Sequence, residues 1–354
     1  MKSPTSSRKQ QHVEITLSRD VSFRGKSTGF ERFDFLHNAL PELNLSDVDP
    51  STTFLGKRVG LPLIVSSMTG GYRDAERINR GLAEVCAERR LAIGVGSQRQ
   101  AIEDKTHHRS YSIVRHVAKD IPVFGNIGAA EVARLKSSAP VKRLAELVNA
   151  DAFAVHLNPL QEFLQPEGNP EFSGVLLGIE MLVRDLGIPV IVKEIGAGIS
   201  ASVARRLIEA GVTIIDVAGA GGTSWAGVEI LRRKSSRNGK QGRDFASSFW
   251  DWGISTVDAL RQVSALKQQH TNLKVIASGG VASGLDIAKS IALGADLAGA
   301  ARPMLKALEK DGRRGLLCEL DTWSMELRGA MFLTGCRTIG DLKKQLLVLR
   351  PQRG

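Results

Sequence analysis

The stretch His156-Leu157-Asn158-Pro159-Leu160-Gln161-Glu162 puts an imidazole, two amides and a carboxylate within seven positions. It follows Ala152 to Val155, a small and apolar run that reads as a buried strand. A strand that merely turns takes Gly, Asn or Asp and has no use for this set. His156, Asn158 and Gln161 can orient a substrate by hydrogen bonding, and Glu162 can hold a cation. Magnesium is commonly held by one or two carboxylates completed by substrate phosphates. Glu162 therefore points to a metal that arrives with a polyphosphate, against the plainer reading of a loop salt bridge.

Three other clusters carry chemistry. Lys193 lies inside Val190-Ile191-Val192-Lys193-Glu194, where a buried ammonium is costly unless an anion pairs with it. Either Glu194 is that anion, or the charge serves a ligand such as a cofactor ring that turns negative on reduction. The runs Gly219 to Thr223 and Ser278 to Gly284 are glycine-rich, so the backbone can approach a phosphate closely. Near the N-terminus, Arg8, Lys9 and His12 form a basic arm. Such an arm is either solvated or folded over a site, where a guanidinium can fork two oxygens of a diphosphate.

These residues need a frame. Eight short apolar runs start at Pro62, Leu91, Pro122, Ala152, Pro189, Thr213, Lys274 and Asp296. Their apolar character does not alternate, which suits strands buried on both faces. Amphipathic helical stretches lie between them, at Glu76 to Arg90, Ala139 to Ala150 and Ser200 to Gly211, with Gly211 as a helix stop. The pattern predicts a (β/α)8 TIM barrel. A doubly wound sheet would carry Gly-x-Gly-x-x-Gly after its first strand, and Ser66-Ser67-Met68-Thr69-Gly70-Gly71 does not fit.

Barrel sites form at the C-terminal strand ends, and phosphates often bind after strands seven and eight. The tips are Ser67 to Gly71, Ser97 to Arg99, Asn126, His156 to Glu162, Lys193, Gly219 to Ser224, Ser278 to Gly280 and Ala300 to Arg302. Residues 1–60 read as an N-terminal extension, with a helix over Phe33 to Leu45 stopped by Pro41. Residues 61–354 read as one barrel domain with a long insertion after strand six. That insertion holds six cations and no acid between Leu231 and Arg243. It is either a solvated loop or a lid over an anionic substrate.

Composition narrows the classes. The chain has 354 residues, 42% of them hydrophobic, and a formal net charge of +11. The charge favours anionic partners. A nucleic-acid reading has charge alone behind it, without zinc-finger spacing, aromatic RNA-binding motif or heptads. No apolar run reaches membrane-spanning length, and the first residues lack the apolar core of a secretory signal. Cys86, Cys318 and Cys336 lack metal-site spacing and suit a reducing cytoplasm. No nucleic acid, no membrane and a cytoplasmic location are the expectations.

Arg8-Lys9-x-x-His12, Ala39 to Leu43, Ser66 to Gly71, Val95 to Arg99, His156 to Glu162, Gly219 to Trp225 and Ala301 to Leu308 occur in order across nearly the whole chain. Together they resemble the type 2, FMN-dependent isopentenyl-diphosphate delta-isomerase family. The resemblance implies a (β/α)8 barrel that binds FMN and Mg2+ and assembles as a homotetramer or homo-octamer. Its substrates would be isopentenyl and dimethylallyl diphosphate in isoprenoid biosynthesis. Ser67, Met68, Thr69, Ser97, Asn126, Lys193 and Thr223 would contact FMN, and Gly279, Gly280, Val281, Ala300 and Ala301 would hold its phosphate. Arg8, Lys9, His12, Ser97, Gln98, Arg99 and Gln161 would bind the substrate diphosphate. His156, Asn158 and Gln161 would line the reacting alkene, and Glu162 would bind Mg2+. FMN N5 would be the acid and base, with NADPH needed only to reduce the flavin. One departure stands out: the family often has Arg where this chain has Ala282.

Two other barrels compete with this reading. A flavin-dependent 2-hydroxy-acid oxidase needs a histidine late in the barrel, and no histidine follows His270. An inosine-monophosphate-dehydrogenase-like enzyme needs a cysteine after the strand-six glycines, and Gly219 to Trp225 has none.

Overall fold

The computed structural model describes residues 4–236 and 245–350. Eight parallel strands close into a barrel: β1 (Leu63–Val65), β2 (Ala92–Gly94), β3 (Val123–Gly128), β4 (Ala152–His156), β5 (Val190–Lys193), β6 (Ile214–Asp216), β7 (Lys274–Ser278) and β8 (Leu297–Ala300). They follow one another around the ring, and β8 pairs with β1 through Ala298 and Leu63. Each of the eight apolar runs supplies one strand.

The barrel interior explains why the polar residues sit where they do. Ile64, Ala92, Phe124, Ala154, Ile191, Ile214, Ile276 and Leu297 fill it. Strand side chains alternate, so the residue two positions later faces the same way. On these strands that residue is Ser66, Gly94, Asn126, His156, Lys193, Asp216, Ser278 or Gly299. Register then aligns the tips: His156 stands opposite Lys193, and Lys193 opposite Asp216. One alternation builds both the core and the polar ring above it. Outside the ring, helices such as Ala75–Arg89 and Ala201–Glu209 bury their apolar faces, and Gly211 just beyond the second has φ +87°.

Residues 1–60 hold short elements of their own. Pro4–Ser18 is a helix across the C-terminal mouth. The helix expected over Phe33 to Leu45 is absent. Phe33–Phe35 is instead a strand antiparallel to Leu347–Leu349, and Asp34 accepts from Arg350 Nη2 at 2.7 Å. Phe-Asp-Phe alternates with the period of a strand, and the far end of the chain supplies the pairing that no helix could match. The hairpin Thr52–Phe54 and Lys57–Val59 closes the opposite end, sending Phe54 and Val59 into the interior cluster.

The insertion after β6 is also more structured than a loop. Trp225–Ser236 is a helix, Phe245–Phe249 a 3-10 turn, and Thr256–Ser264 the helix that leads to β7. Arg232, inside the cationic run, is buried rather than solvated. Its Nε donates to Glu229 at 2.8 Å, and its Nη atoms fork Glu167. The run from Arg237 to Arg243, where a lid or mobile loop was expected, lies outside the described residues. No described helix is long and apolar enough to cross a membrane.

Candidate active site

The N-terminal helix is pinned to the barrel along its length. Ser6 Oγ donates to Gly71 O at 2.7 Å, and Lys9 Nζ donates to Tyr111 Oη at 2.9 Å and to Ser97 O. The Glu229 carboxylate accepts from His12 Nε2 at 2.8 Å. Beyond the helix, Ser224 N donates to Val21 O at 2.7 Å, tying the exit segment to the loop after β6. Beneath the helix lie two adjoining cavities of about 140 and 350 Å³. They share His12, Ser67, Met68, Lys193, Ile195 and Trp225 as a common wall.

The smaller cavity brings basic side chains of the helix together with carboxylates and amides of the strand ends. Arg8, Lys9 and His12 come from the helix; Thr69, Ser97, Asn126, His156, Asn158, Gln161 and Glu162 come from the strand ends. His156 Nδ1 donates to Asn126 Oδ1 at 2.8 Å, which leaves Nε2 as an acceptor. Burial, reinforced by Lys193, Lys9 and Arg8, pushes the imidazole down to about 3, so it is neutral at physiological pH. Glu162 accepts from Asn158 Nδ2 at 3.0 Å, Gln165 Nε2 at 2.8 Å and Asn169 N at 2.7 Å. Asn158 Oδ1 is buried and has no partner among the described residues.

Three carboxylates that shape this site were not singled out from the sequence. Glu131 lines the smaller cavity and pairs with Arg99 Nη1 at 2.9 Å. Burial raises its pKa, Arg99 opposes, and Glu162 adds to the rise. Fully buried Glu229 accepts from His12, from Gln161 Nε2 at 3.1 Å and from Arg232. Burial would raise its pKa, but His12 and Arg232 outweigh burial and bring it down to about 2. Asp216 is the anion that answers Lys193: the Nζ stands 3.1 Å from Asp216 Oδ2, while Glu194 offers only its main-chain oxygen, at 2.7 Å. The Glu194 carboxylate instead accepts the backbone N–H groups of Ile195, Gly196 and Ala197. A signal for Asp216 existed, since a charged residue in an apolar strand needs an equally placed partner on the next.

The larger cavity fits a flavin mononucleotide. Thr223, Gly279, Gly280, Val281, Ala300 and Ala301 line one end and Ser67, Met68 and Lys193 the other. Gly279 and Gly280 have φ of +101° and +80°, and a Cβ on Gly279 would stand 2.1 Å from Gly219 O. Only glycine makes this turn, and its exposed backbone suits a phosphate. Ser67 Oγ is buried without a partner among the described residues, which suits a polar ligand group.

Among the expected contacts, Thr69, Ser97 and Asn126 face only the smaller cavity. Gln98 and Arg99, expected on the diphosphate, line neither cavity. Gln98 is fully buried; its Nε2 donates to Leu144 O at 2.9 Å and its Oε1 accepts from Asn126 N at 3.0 Å. Both ends of the amide are thus committed to the barrel wall. Arg99 is turned to Glu131 and Glu103.

Lys9 gives the site a pH signature. Burial, with Arg8 and Arg99 adding repulsion, pushes its ammonium down to about 7. Below that pH it meets an anion already charged; above it, an anion must draw a proton onto it. Affinity for inorganic pyrophosphate should therefore fall by up to about tenfold per pH unit above 7, with uptake of about one proton near pH 8. Calorimetric titrations in two buffers of different ionisation enthalpy measure the uptake. An equal uptake in Lys9→Met would remove Lys9 from the site's titration.

The FMN-dependent dehydrogenase family matches the chain over residues 117–349. A Pelodictyon phaeoclathratiforme protein named isopentenyl-diphosphate delta-isomerase is 48% identical, covering 99% of this chain and 98% of its own. Proteins of the same name from Chlorobium limicola and Pseudescherichia vulneris are 47% and 45% identical, covering 98% and 95% of this chain and 96% and 95% of their own. A solved mandelate oxidase variant superposes with a TM-score of 0.66 at 20% identity, over 96% of this chain and 95% of that one. At that identity the likeness is one of fold.

Proposed function

This chain belongs to the isopentenyl-diphosphate delta-isomerase family, and from that premise we propose how its two cavities divide the work. The enzyme moves the double bond of isopentenyl diphosphate to give dimethylallyl diphosphate, with no net redox change. FMN occupies the larger cavity and the substrate the smaller. The observation that carries this reading is the common wall: Met68, Lys193 and Ile195 face both spaces, so a flavin ring and an alkene can meet there.

When bound and reduced, FMN supplies the acid and base at N5 that the allylic proton shift requires. The chain's own groups bind and orient. Arg8 and Lys9 bring positive charge to the diphosphate, and His12 brings a hydrogen-bonding imidazole. Neutral His156 and ionised Glu229 are poor proton donors at neutral pH, which suits positioning roles. Gln161, held by Glu229 at 3.1 Å, and Asn158 border the reacting carbons. Trp225 and Ile195 exclude water around the developing tertiary cation.

Glu162 would hold Mg2+ from the protein side. The described residues contain no group of three or more His, Cys, Asp or Glu that could bind a metal. Diphosphate oxygens and water would then complete the shell, the usual arrangement for magnesium. The unpartnered Asn158 Oδ1 lies on the same cavity as a further oxygen. NADPH as the reductant, assembly as a homotetramer or homo-octamer, and a cytoplasmic setting belong to the same proposal.

The test is anaerobic. Protein, FMN, Mg2+ and isopentenyl diphosphate are mixed, the flavin is reduced, and dimethylallyl diphosphate is followed by proton NMR beside an oxidised control. Product in the reduced sample alone is the expected result. Bound, reduced flavin without product would refute the isomerase, and a screen of 2-hydroxy acids would follow.

A further inference from the structure

Arg302 stands at the tip of β8, where it opens the helix Arg302–Leu333 and lines the larger cavity. Its guanidinium also reaches the N-terminal helix. Nε donates to Thr16 O at 2.8 Å, Nη2 to Arg19 O at 2.8 Å, and Nη1 to Ser22 Oγ at 3.4 Å. Thr16 lies in the last turn of Pro4–Ser18 and Arg19 just beyond it. The last carbonyls of a helix lack partners within it and carry its negative end, so a cation there both satisfies and fixes them.

The same helix bears Arg8, Lys9 and His12. Its first half is held by Ser6 and Lys9 against the tips of β1 and β2, and its middle by Glu229. Arg302 holds the far end. A rigid helix pinned at one end can pivot; pinned at both, it fixes the side chains between.

We propose that Arg302 is a positioning residue of the reaction, tying the carbonyl end of the N-terminal helix to β8 and so setting where Arg8, Lys9 and His12 stand over the substrate cavity. This rests on the reading of those three residues as the diphosphate-binding groups. Arg302 acts through the helix, without touching the diphosphate. Lysine is a poor substitute, because a single ammonium cannot fork three acceptors spread over seven residues.

The test uses the FMN-loaded enzyme in four forms: wild type, Arg302→Ala, Arg302→Lys and Arg8→Ala. Calorimetry with inorganic pyrophosphate and Mg2+ measures binding, steady-state kinetics separate KM from kcat, and trypsin reports access to the helix at Arg8, Lys9 and Arg19. Arg302→Ala should raise KM and the pyrophosphate Kd about tenfold, with kcat within about twofold, as expected for losing charge-assisted hydrogen bonds remote from the chemistry. Tryptic cleavage within residues 8–19 should quicken, and Arg302→Lys should fall between. Should Arg302→Ala not fold, Arg302→Lys carries the comparison with the same expected directions. If pyrophosphate binding weakens in Arg8→Ala but not in the Arg302 variants, the positioning role is overturned while the diphosphate reading stands. Binding unchanged in Arg8→Ala as well overturns the diphosphate reading itself. Loss of FMN from the Arg302 variants with unchanged cleavage assigns Arg302 to the cofactor cradle and overturns the proposal.

Discussion

Glu162→Gln should lower magnesium-supported turnover by about 10³-fold, roughly 4 kcal/mol, while FMN stays bound. The substitution keeps the shape and removes the charge. Glu162 accepts three hydrogen bonds in the smaller cavity, so its replacement must also be weighed as a packing change. Asn158 makes that change tolerable: its Oδ1 has no partner among the described residues, and turning its amide offers an acceptor to the new Gln nitrogen in place of its 3.2 Å donation to Gln161 Oε1. The melting temperature should therefore move little, and the flavin spectrum not at all, because Glu162 lies off the larger cavity. The deciding measurement is turnover across a magnesium titration. A variant that follows the wild-type curve would sink the metal assignment.

Lys193→Met should show the second large effect, and it separates two roles of one side chain. Lys193 faces both cavities and is paired with Asp216, itself 3% exposed. Removing the ammonium strands Asp216 with only Ser278 Oγ at 2.6 Å and Ala218 N at 3.3 Å. Breaking a buried pair from one side costs about 3–5 kcal/mol of stability. The double variant Lys193→Met/Asp216→Asn removes both charges and should recover most of that loss. The flavin midpoint potential distinguishes the variants further. Negative Asp216 left alone disfavours an anionic reduced flavin, so the single variant should fall by about 60 mV, a hundredfold in a two-electron equilibrium. The double variant should fall less, because the pair it removes was nearly neutral. Equal shifts would mean that Lys193 acts as an isolated cation and that Asp216 does not temper it.

The frame of this protein is plain in its sequence because a parallel strand buried on both faces must be apolar throughout. Val190-Ile191-Val192 and Leu63-Ile64-Val65 could be little else. Most strand tips are legible too, because a polar residue two places beyond an interior residue points up the barrel, although Asp216, two places beyond Ile214, escapes notice. What failed depended on partners far away in the chain. Phe33-Asp34-Phe35 reads as the start of a helix until Leu347–Leu349 comes to pair with it. Arg232 reads as a solvated cation until Glu229 and Glu167 surround it. Gln98 sits between Ser97 and Arg99, and nothing in that run signals that its amide bonds to Leu144 O and Asn126 N in the wall. Glu229 had no local signal, since a carboxylate on an amphipathic helix is ordinary until the helix is docked.

The pairing of the chain's two ends bears on how the enzyme is made. Arg350 meets Asp34 across 316 positions, and Arg302 meets Thr16 across 286. Both residues emerge from the ribosome late. Strands β1 to β6 can gather while the N-terminal segment still lacks its last supports. The carbonyl end of the N-terminal helix is tied to the barrel only once Arg302 has been made. The N-terminal helix therefore gains its Arg302 support only after the segment following β8 is made, and a chain that stalls before Arg302 carries most of a barrel with that helix unsecured at its carbonyl end.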